Sequence, residues 1–210
     1  EQVAGMAFTI GLHPGHAEEW TDHSLIDIER LARGHGACAI GEIGLDFAHE
    51  TPDPASQRRA FMDQLALAQT LDLPIVIHQR AAGAECASIL AGTPPNQPVV
   101  LHSYDGNADL LDLGLDRGWT FGVGGLMTRR SSESIRLALT NIPLDQLIIE
   151  TDAPYLTPRG LKFRRNTPES IPHIARVLAD LLHLQLDEVA TATTDTAARV
   201  FRLKDAQDEM

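Results

Sequence analysis

The chain has 210 residues, 43% apolar and 22% charged, enough for one substantial core and too apolar for a disordered, collagen-like or disulfide-scaffold protein. Its 17 Lys and Arg against 29 Asp and Glu leave a net charge of -12. That balance argues against broad, non-specific coating of nucleic acid but allows a polyanion held at one local, metal-loaded or basic site. Cys38 and Cys86 lack metal-finger spacing and read as reduced core thiols. No stretch approaches the roughly 18 uninterrupted apolar residues of a membrane span, and the first five residues have no signal-peptide layout. The expected location is therefore the cytoplasm.

In chain order, short apolar runs alternate with amphipathic stretches, as in consecutive βα units around a parallel sheet. The first run, Met6 to Leu12, is followed by a helix carrying Leu25, Ile28, Leu31 and Ala32, closed by Gly34 and Gly36. The second, Ala37 to Ile43, precedes a helix from about Ser56, its expected N-cap, through Phe61, Leu65 and Ala68. Pro74 to Ile77 leads to a helix over Glu85 to Ala91, Pro98 to Leu101 to one over Ala108 to Arg117, and Trp119 to Val123 to one over Ser132 to Thr140. After the last run, Leu147 to Glu150, come helices over Pro168 to His183 and Asp187 to Phe201, then a polar tail from Lys204. These units read as a (β/α)8 TIM-type barrel in a single domain over 1–210, with six βα units visible and the first two missing, since the closed fold needs eight strands and about 250 residues. An open doubly wound sheet is less suitable, because no Gly-rich phosphate loop follows any run.

Residues of metal-ligand type stand at or just beyond the C-terminal ends of five of the six runs: His13, Glu42, His78, His102 and Asp152. In a barrel those ends converge on the face where active sites are built. Three imidazoles and two carboxylates suit one or two divalent cations, with Mg, Mn and Zn all left open. Glu42 lies in "AIGEIGLD", where Gly41 and Gly44 leave backbone room, and its two oxygens could bridge two ions. Asp46 in the same motif either supports a neighbouring ligand or caps the loop. Arg80, two residues beyond His78, either clamps a phosphate or pairs with a ligand carboxylate. Asp152 ends "LIIETDAPYL" and is the candidate base for a hydrolytic water. Glu150 is expected on the same side, one layer deeper and paired with an Arg. The loop Thr157 to Thr167 carries Arg159, Lys162, Arg164 and Arg165 without an acid, and Arg129 and Arg130 follow the preceding run. If both loops rim one face, they form a cationic collar suited to a phosphate-bearing substrate. Tyr155 and Phe163 could stack on bases.

With those residues in view, the chain resembles the metal-dependent deoxyribonucleases of the TatD family, in the amidohydrolase superfamily. The matching segments run in the family's order: "GLHPG", "IGEIGLDF", "QRRAFMDQLALAQTLDLPIVIHQR", "VVLHSYDG", "LIIETDAPYLTPRG", "RRNTPE" and "TTDTAARVF". The resemblance implies a (β/α)8 barrel with Glu42, His78, His102 and Asp152 as ligands of a one- or two-metal centre and His13 beside it. It also implies phosphodiester hydrolysis, with 3'-to-5' trimming of single-stranded DNA or RNA. Catalytic roles then fall to Asp152 and Glu42, and substrate contacts to His13, Arg80, Tyr155, Lys162 and Arg165. The expected departures from the family are the absent opening strand with its His-x-His pair, Ser103-Tyr104 after the ligand histidine, Thr167 after Arg165-Asn166, and Ala84. The same superfamily leaves an amide or ester hydrolase, such as a D-aminoacyl-tRNA deacylase, as an alternative. A catalytically inactive barrel acting as a binding subunit is another.

Overall fold

A computed structural model describes residues 6–48, 52–92, 95–162 and 164–203. Phe163, the first five residues and the polar tail from Lys204 lie outside the described residues. Six strands alternate with helices: β1 (Thr9–Ile10), α1 (Asp22–His35), β2 (Ala39–Asp46), α2 (Pro54–Leu71), β3 (Ile75–Arg80), α3 (Gly83–Gly92), β4 (Val99–Leu101), α4 (Ala108–Arg117), β5 (Thr120–Val123), α5 (Glu133–Leu139), β6 (Leu147–Ile149), α6 (Ile171–Leu182) and α7 (Leu186–Val200). All six apolar runs contain a strand, and the parallel alternation expected from the sequence is present. Among the described residues, no helix is long and apolar enough to cross a membrane.

The chain divides into two compact units, one of residues 1–100 and 198–210, the other of residues 101–197. In the first, β1, β2 and β3 run parallel in chain order. Ala39, Ile40, Ile43, Leu45, Ile75 and Ile77 are fully buried, as are Phe61 and Ala68 of α2, the face read from helical spacing. In the second, β5 and β6 pair in parallel, with Phe121 opposite Leu147 and Gly122 opposite Ile148. Ile174, Ala175 and Leu178 of α6 are buried there, whereas Ile171 and Leu182 at the ends of the same stripe are only half-buried.

Local chemistry moves several boundaries. The N-cap of α2 is Asp53 rather than Ser56: its carboxylate accepts the N–H groups of Ala55 and Ser56, and Pro54 occupies the first helical position. Ser56 instead donates its hydroxyl to Asp53 at 2.6 Å, which with the backbone donors holds that carboxyl below its usual range. The helix expected from Pro168 opens as a 3₁₀ turn over Pro168–Ser170 before α6 begins. A further 3₁₀ turn, Pro14–Glu19, follows β1 and is capped by the ring of His13, a feature without apolar periodicity to reveal it. Cys86 is a buried thiol as expected, but Cys38 is half-exposed and donates to the Phe8 carbonyl at 3.2 Å.

Candidate metal centre

The five residues taken from run ends do not all occupy strand ends. Glu42 and His78 lie inside β2 and β3, because both strands continue past their apolar stretches into the polar residues Asp46 and Arg80. His102 immediately follows β4, Asp152 stands three residues beyond β6 in a left-handed backbone conformation, and His13 caps the turn after β1.

In the first unit, strand register assembles the site. Glu42, Gly44 and Asp46 alternate along one side of β2, and Gly44 lies opposite His78 of β3. A side chain at position 44 would collide with the His78 carbonyl oxygen, and one at Gly41 would approach the Val76 Cβ to 2.5 Å. The two glycines therefore make room for the neighbouring strand as well as for the carboxylate. The His78 ring sits between the two acids: Nδ1 is 3.5 Å from Glu42 Oε2 and Nε2 is 3.3 Å from Asp46 Oδ2. A carboxylate has no proton to give, so a neutral His78 ring bonded to Asp46 carries its proton on Nε2 and turns Nδ1 to the Glu42 side. Asp46 does both things the sequence left open, since its other oxygen accepts the Ala48 N–H at 3.0 Å and tightens the loop.

His13 packs edge-on against His78, ring centroids 4.3 Å apart, with Nε2 4.0 Å from Glu42 Oε2. Ligand atoms of His13, Glu42 and His78 all lie within 4.8 Å of one another, a donor set that fits a divalent cation. The three do not present equivalent atoms, however. His13 Nδ1 accepts the Gly15 N–H at 3.0 Å, so the neutral ring carries its proton on Nε2, the atom facing Glu42. Burial, followed by the neighbouring His78, pushes the His13 imidazole below its ordinary pKa and favours that neutral form. In this tautomer His13 offers a hydrogen-bond donor at the site.

The second unit holds a separate pair. His102 Nδ1 donates to Glu150 Oε2 at 2.8 Å, and Nε2 lies 3.7 Å from Asp152 Oδ1. Glu150 also accepts the Ser103 N–H at 2.6 Å. The partner expected for Glu150 was an arginine; the structure gives it a histidine and a backbone amide instead. The strand register explains this, because Gly122 of β5 has no Cβ, and one placed there would come within 2.5 Å of the Glu150 carboxylate. Asn166, buried in the loop after Asp152, donates to the Thr151 carbonyl at 2.5 Å and accepts the Ser170 hydroxyl at 2.6 Å. Sequence reasoning missed it; a lone asparagine within a basic stretch carries no periodic signal.

Lys162, Arg164 and Arg165 are exposed, as are Arg159, Arg129 and Arg130. The two basic loops touch: the Arg159 N–H donates to Thr128 Oγ1 at 2.7 Å, and Gly125 packs against the Leu156 carbonyl. Arg136 stiffens one of them by donating to the Met127 and Arg129 carbonyls at 2.9 and 2.7 Å. Tyr155 is exposed, its backbone N–H closing a turn onto the Asp152 carbonyl. Arg80 is exposed at the end of β3.

Parallel strands alternating with helices, and histidines braced by carboxylates beside further acids, are an arrangement that suits a metal-dependent hydrolase. Comparison with known proteins makes the assignment specific. The family model described as TatD related DNase matches residues 1–202, and the chain belongs to that family. It is 38% identical over 201 residues to the 3'-5' ssDNA/RNA exonuclease TatD of Edwardsiella piscicida, covering 93% of this chain and 77% of the relative. To the uncharacterized metal-dependent hydrolase TatD of Mycobacterium tuberculosis it is 33% identical, covering 92% and 75%. Among solved structures, YJJV, a TatD homologue from Escherichia coli K12, superposes with a TM-score of 0.88 at 30% identity, covering 94% of this chain and 77% of that one.

Proposed function

We propose that this chain trims single-stranded DNA or RNA from the 3' end by divalent-metal-dependent phosphodiester hydrolysis in the cytoplasm, within a single hydrolase domain over 1–210. The observation that carries the reading is a repeated arrangement. His78 is braced by Asp46 and turns its other ring nitrogen toward Glu42, and His102 is braced by Glu150 and turns its other ring nitrogen toward Asp152. Carboxylates that hold one ring nitrogen and free the other are the usual support of metal-ligating histidines.

In this reading Glu42, His78, His102 and Asp152 are the ligands. A bound divalent cation supplies Lewis acidity to the phosphodiester and to a water. Asp152 takes the proton of the attacking water, and Glu42, the second acid with a catalytic role, helps to hold the cation. His13, with its proton on Nε2, donates to a phosphoryl oxygen and so binds substrate. Arg80, Lys162 and Arg165 hold backbone phosphates, and Tyr155, exposed beside Asp152, offers a ring for a terminal base.

The test is digestion of a 5'-labelled single-stranded oligonucleotide with Mg²⁺ or Mn²⁺ and with chelator. A ladder shortening from the 3' end, present only with metal, is the expected result. Hydrolysis confined to amide or carboxylic-ester substrates, or none with any metal, would overturn it. Within the active enzyme, Lys162→Ala combined with Arg165→Ala should raise KM for an oligonucleotide severalfold and flatten its dependence on salt.

A further inference from the structure

Two buried glutamines of α2 grip the backbone at the two places where the first unit's site groups leave their strands. Gln57 and Gln64 lie seven residues apart, two turns along the same face of the helix, and are 1% and 0% exposed. Gln64 Oε1 accepts the Leu12 N–H at 2.6 Å while its Nε2 donates back to the Leu12 carbonyl at 3.2 Å. Gln57 repeats the contact on Asp46: Oε1 accepts the N–H at 2.7 Å and Nε2 donates to the carbonyl at 2.8 Å. Each amide spends its second N–H on a further carbonyl, Ala60 for Gln64 and Pro52 for Gln57.

Burying two primary amides against a strand layer costs free energy unless each donor and acceptor is paired, and here they are. A side-chain amide bonded to both the N–H and the C=O of one residue fixes the rotation of the peptides on either side of it. Leu12 immediately precedes His13, and Asp46 is the carboxylate that braces His78. The clamps therefore act where a small rotation would swing a site group.

We infer that Gln57 and Gln64 are positioning residues with separate outputs: Gln57 sets metal affinity through Asp46 and His78, and Gln64 sets substrate binding through His13. The inference rests on the metal-centre reading above. Neither residue touches the reacting atoms.

The experiment measures Mn²⁺ binding by electron paramagnetic resonance, oligonucleotide KM and kcat, and thermal stability, on the full chain. The variants are Gln57→Met, Gln64→Met and a same-helix control, Leu67→Ala, which removes buried apolar contact without touching either clamp. Gln57→Met should raise the Mn²⁺ Kd about tenfold or more, the usual loss when a ligand's support is removed. Gln64→Met should leave Mn²⁺ affinity within about twofold of wild type and raise KM severalfold, and Leu67→Ala should lower the melting temperature alone. Loss of stability in all three variants, with Kd and KM at wild-type values, would overturn the inference. So would equal loss of Kd and KM in both glutamine variants. Should Gln57→Met fail to fold, Gln57→Glu, which keeps the acceptor and loses both donors, carries the same expectation for Kd, and Gln64→Met tests its own output independently. Wild-type protein that binds no Mn²⁺ would remove the metal-centre reading itself, an outcome separate from any difference among variants.

Discussion

The two units solve one problem in mirror fashion. Each presents a histidine whose far nitrogen is held by a carboxylate and whose near nitrogen faces a second acid, yet the nitrogens are exchanged. His78 is held at Nε2 and turns Nδ1 toward Glu42; His102 is held at Nδ1 and turns Nε2 toward Asp152. In the first unit the bracing acid and the facing acid are both on β2, four residues apart around Gly44. In the second they are Glu150 and Asp152, two residues apart after β6. A glycine on a partner strand opens the space each time, but what fills it differs. At Gly44 it is the backbone of His78, and at Gly122 it is the tip of the Glu150 side chain. The same chemistry can therefore be reached from different spacings, provided that strand register places a gap opposite the group to be held.

The strongest way to break the comparison is at the facing acids. Asp152→Asn should lower turnover by about 10² to 10⁴ while far-UV circular dichroism stays unchanged, since the base is lost and no core contact is removed. Near-wild-type hydrolysis by that variant would dispose of the assigned base. Chelation should abolish hydrolysis and Mn²⁺ should restore it; activity that persists in chelator would end the metal-centre reading for both units.

Bracing acids come next and sharpen the contrast. Glu150→Gln and Asp46→Asn should each weaken Mn²⁺ binding, in the range of about 10- to 100-fold. Glu150 makes the shorter contact to its histidine, 2.8 Å against 3.3 Å, and the shorter contact to a backbone amide, 2.6 Å against 3.0 Å, so its variant should show the greater loss in isothermal titration. The reverse order would mean that contact length does not rank the two supports.

The glycines discriminate further. Gly44→Ala forces a side chain into backbone and should cost much of the fold's stability, read as a lower melting temperature. Gly122→Ala meets only a side-chain tip that can turn away, so it should retain the fold and lose metal affinity through a displaced Glu150. The smallest expected effect separates the two cysteines. Burial pushes the Cys86 thiol up to about 12, leaving it protonated and shielded; partial burial also raises Cys38, which is open to solvent in part. Titration with a thiol reagent at neutral pH should label Cys38 slowly and Cys86 only after unfolding.

Much of this was legible in the chain itself. Apolar runs, breakers and helical stripes identified six strands and the helices between them because burial of a parallel sheet demands continuous apolar runs. The polar residues at or just beyond the ends of those runs include every acid and imidazole of the braced pairs, though not the fact that Glu150 pairs with His102. Residues such as His13, His78 and Asp152 stood out because ligand-type residues recur at the ends of five of the six runs, where a single one would carry little weight. The family motifs pointed to the same chemistry.

What the sequence determined by itself was the order of elements and the identity of the donor groups, both consequences of local composition and period. Only tertiary structure decided which ring nitrogen each histidine offers, that Glu150 serves His102 instead of an arginine, and that Gln57 and Gln64 hold strand-end backbone. Those outcomes depend on hydrogen bonds across strand registers such as Gly44 opposite His78, or between a helix face and residues 11 and 52 positions away. A hydrogen bond is satisfied by position and angle in space, and no spacing along the chain encodes either.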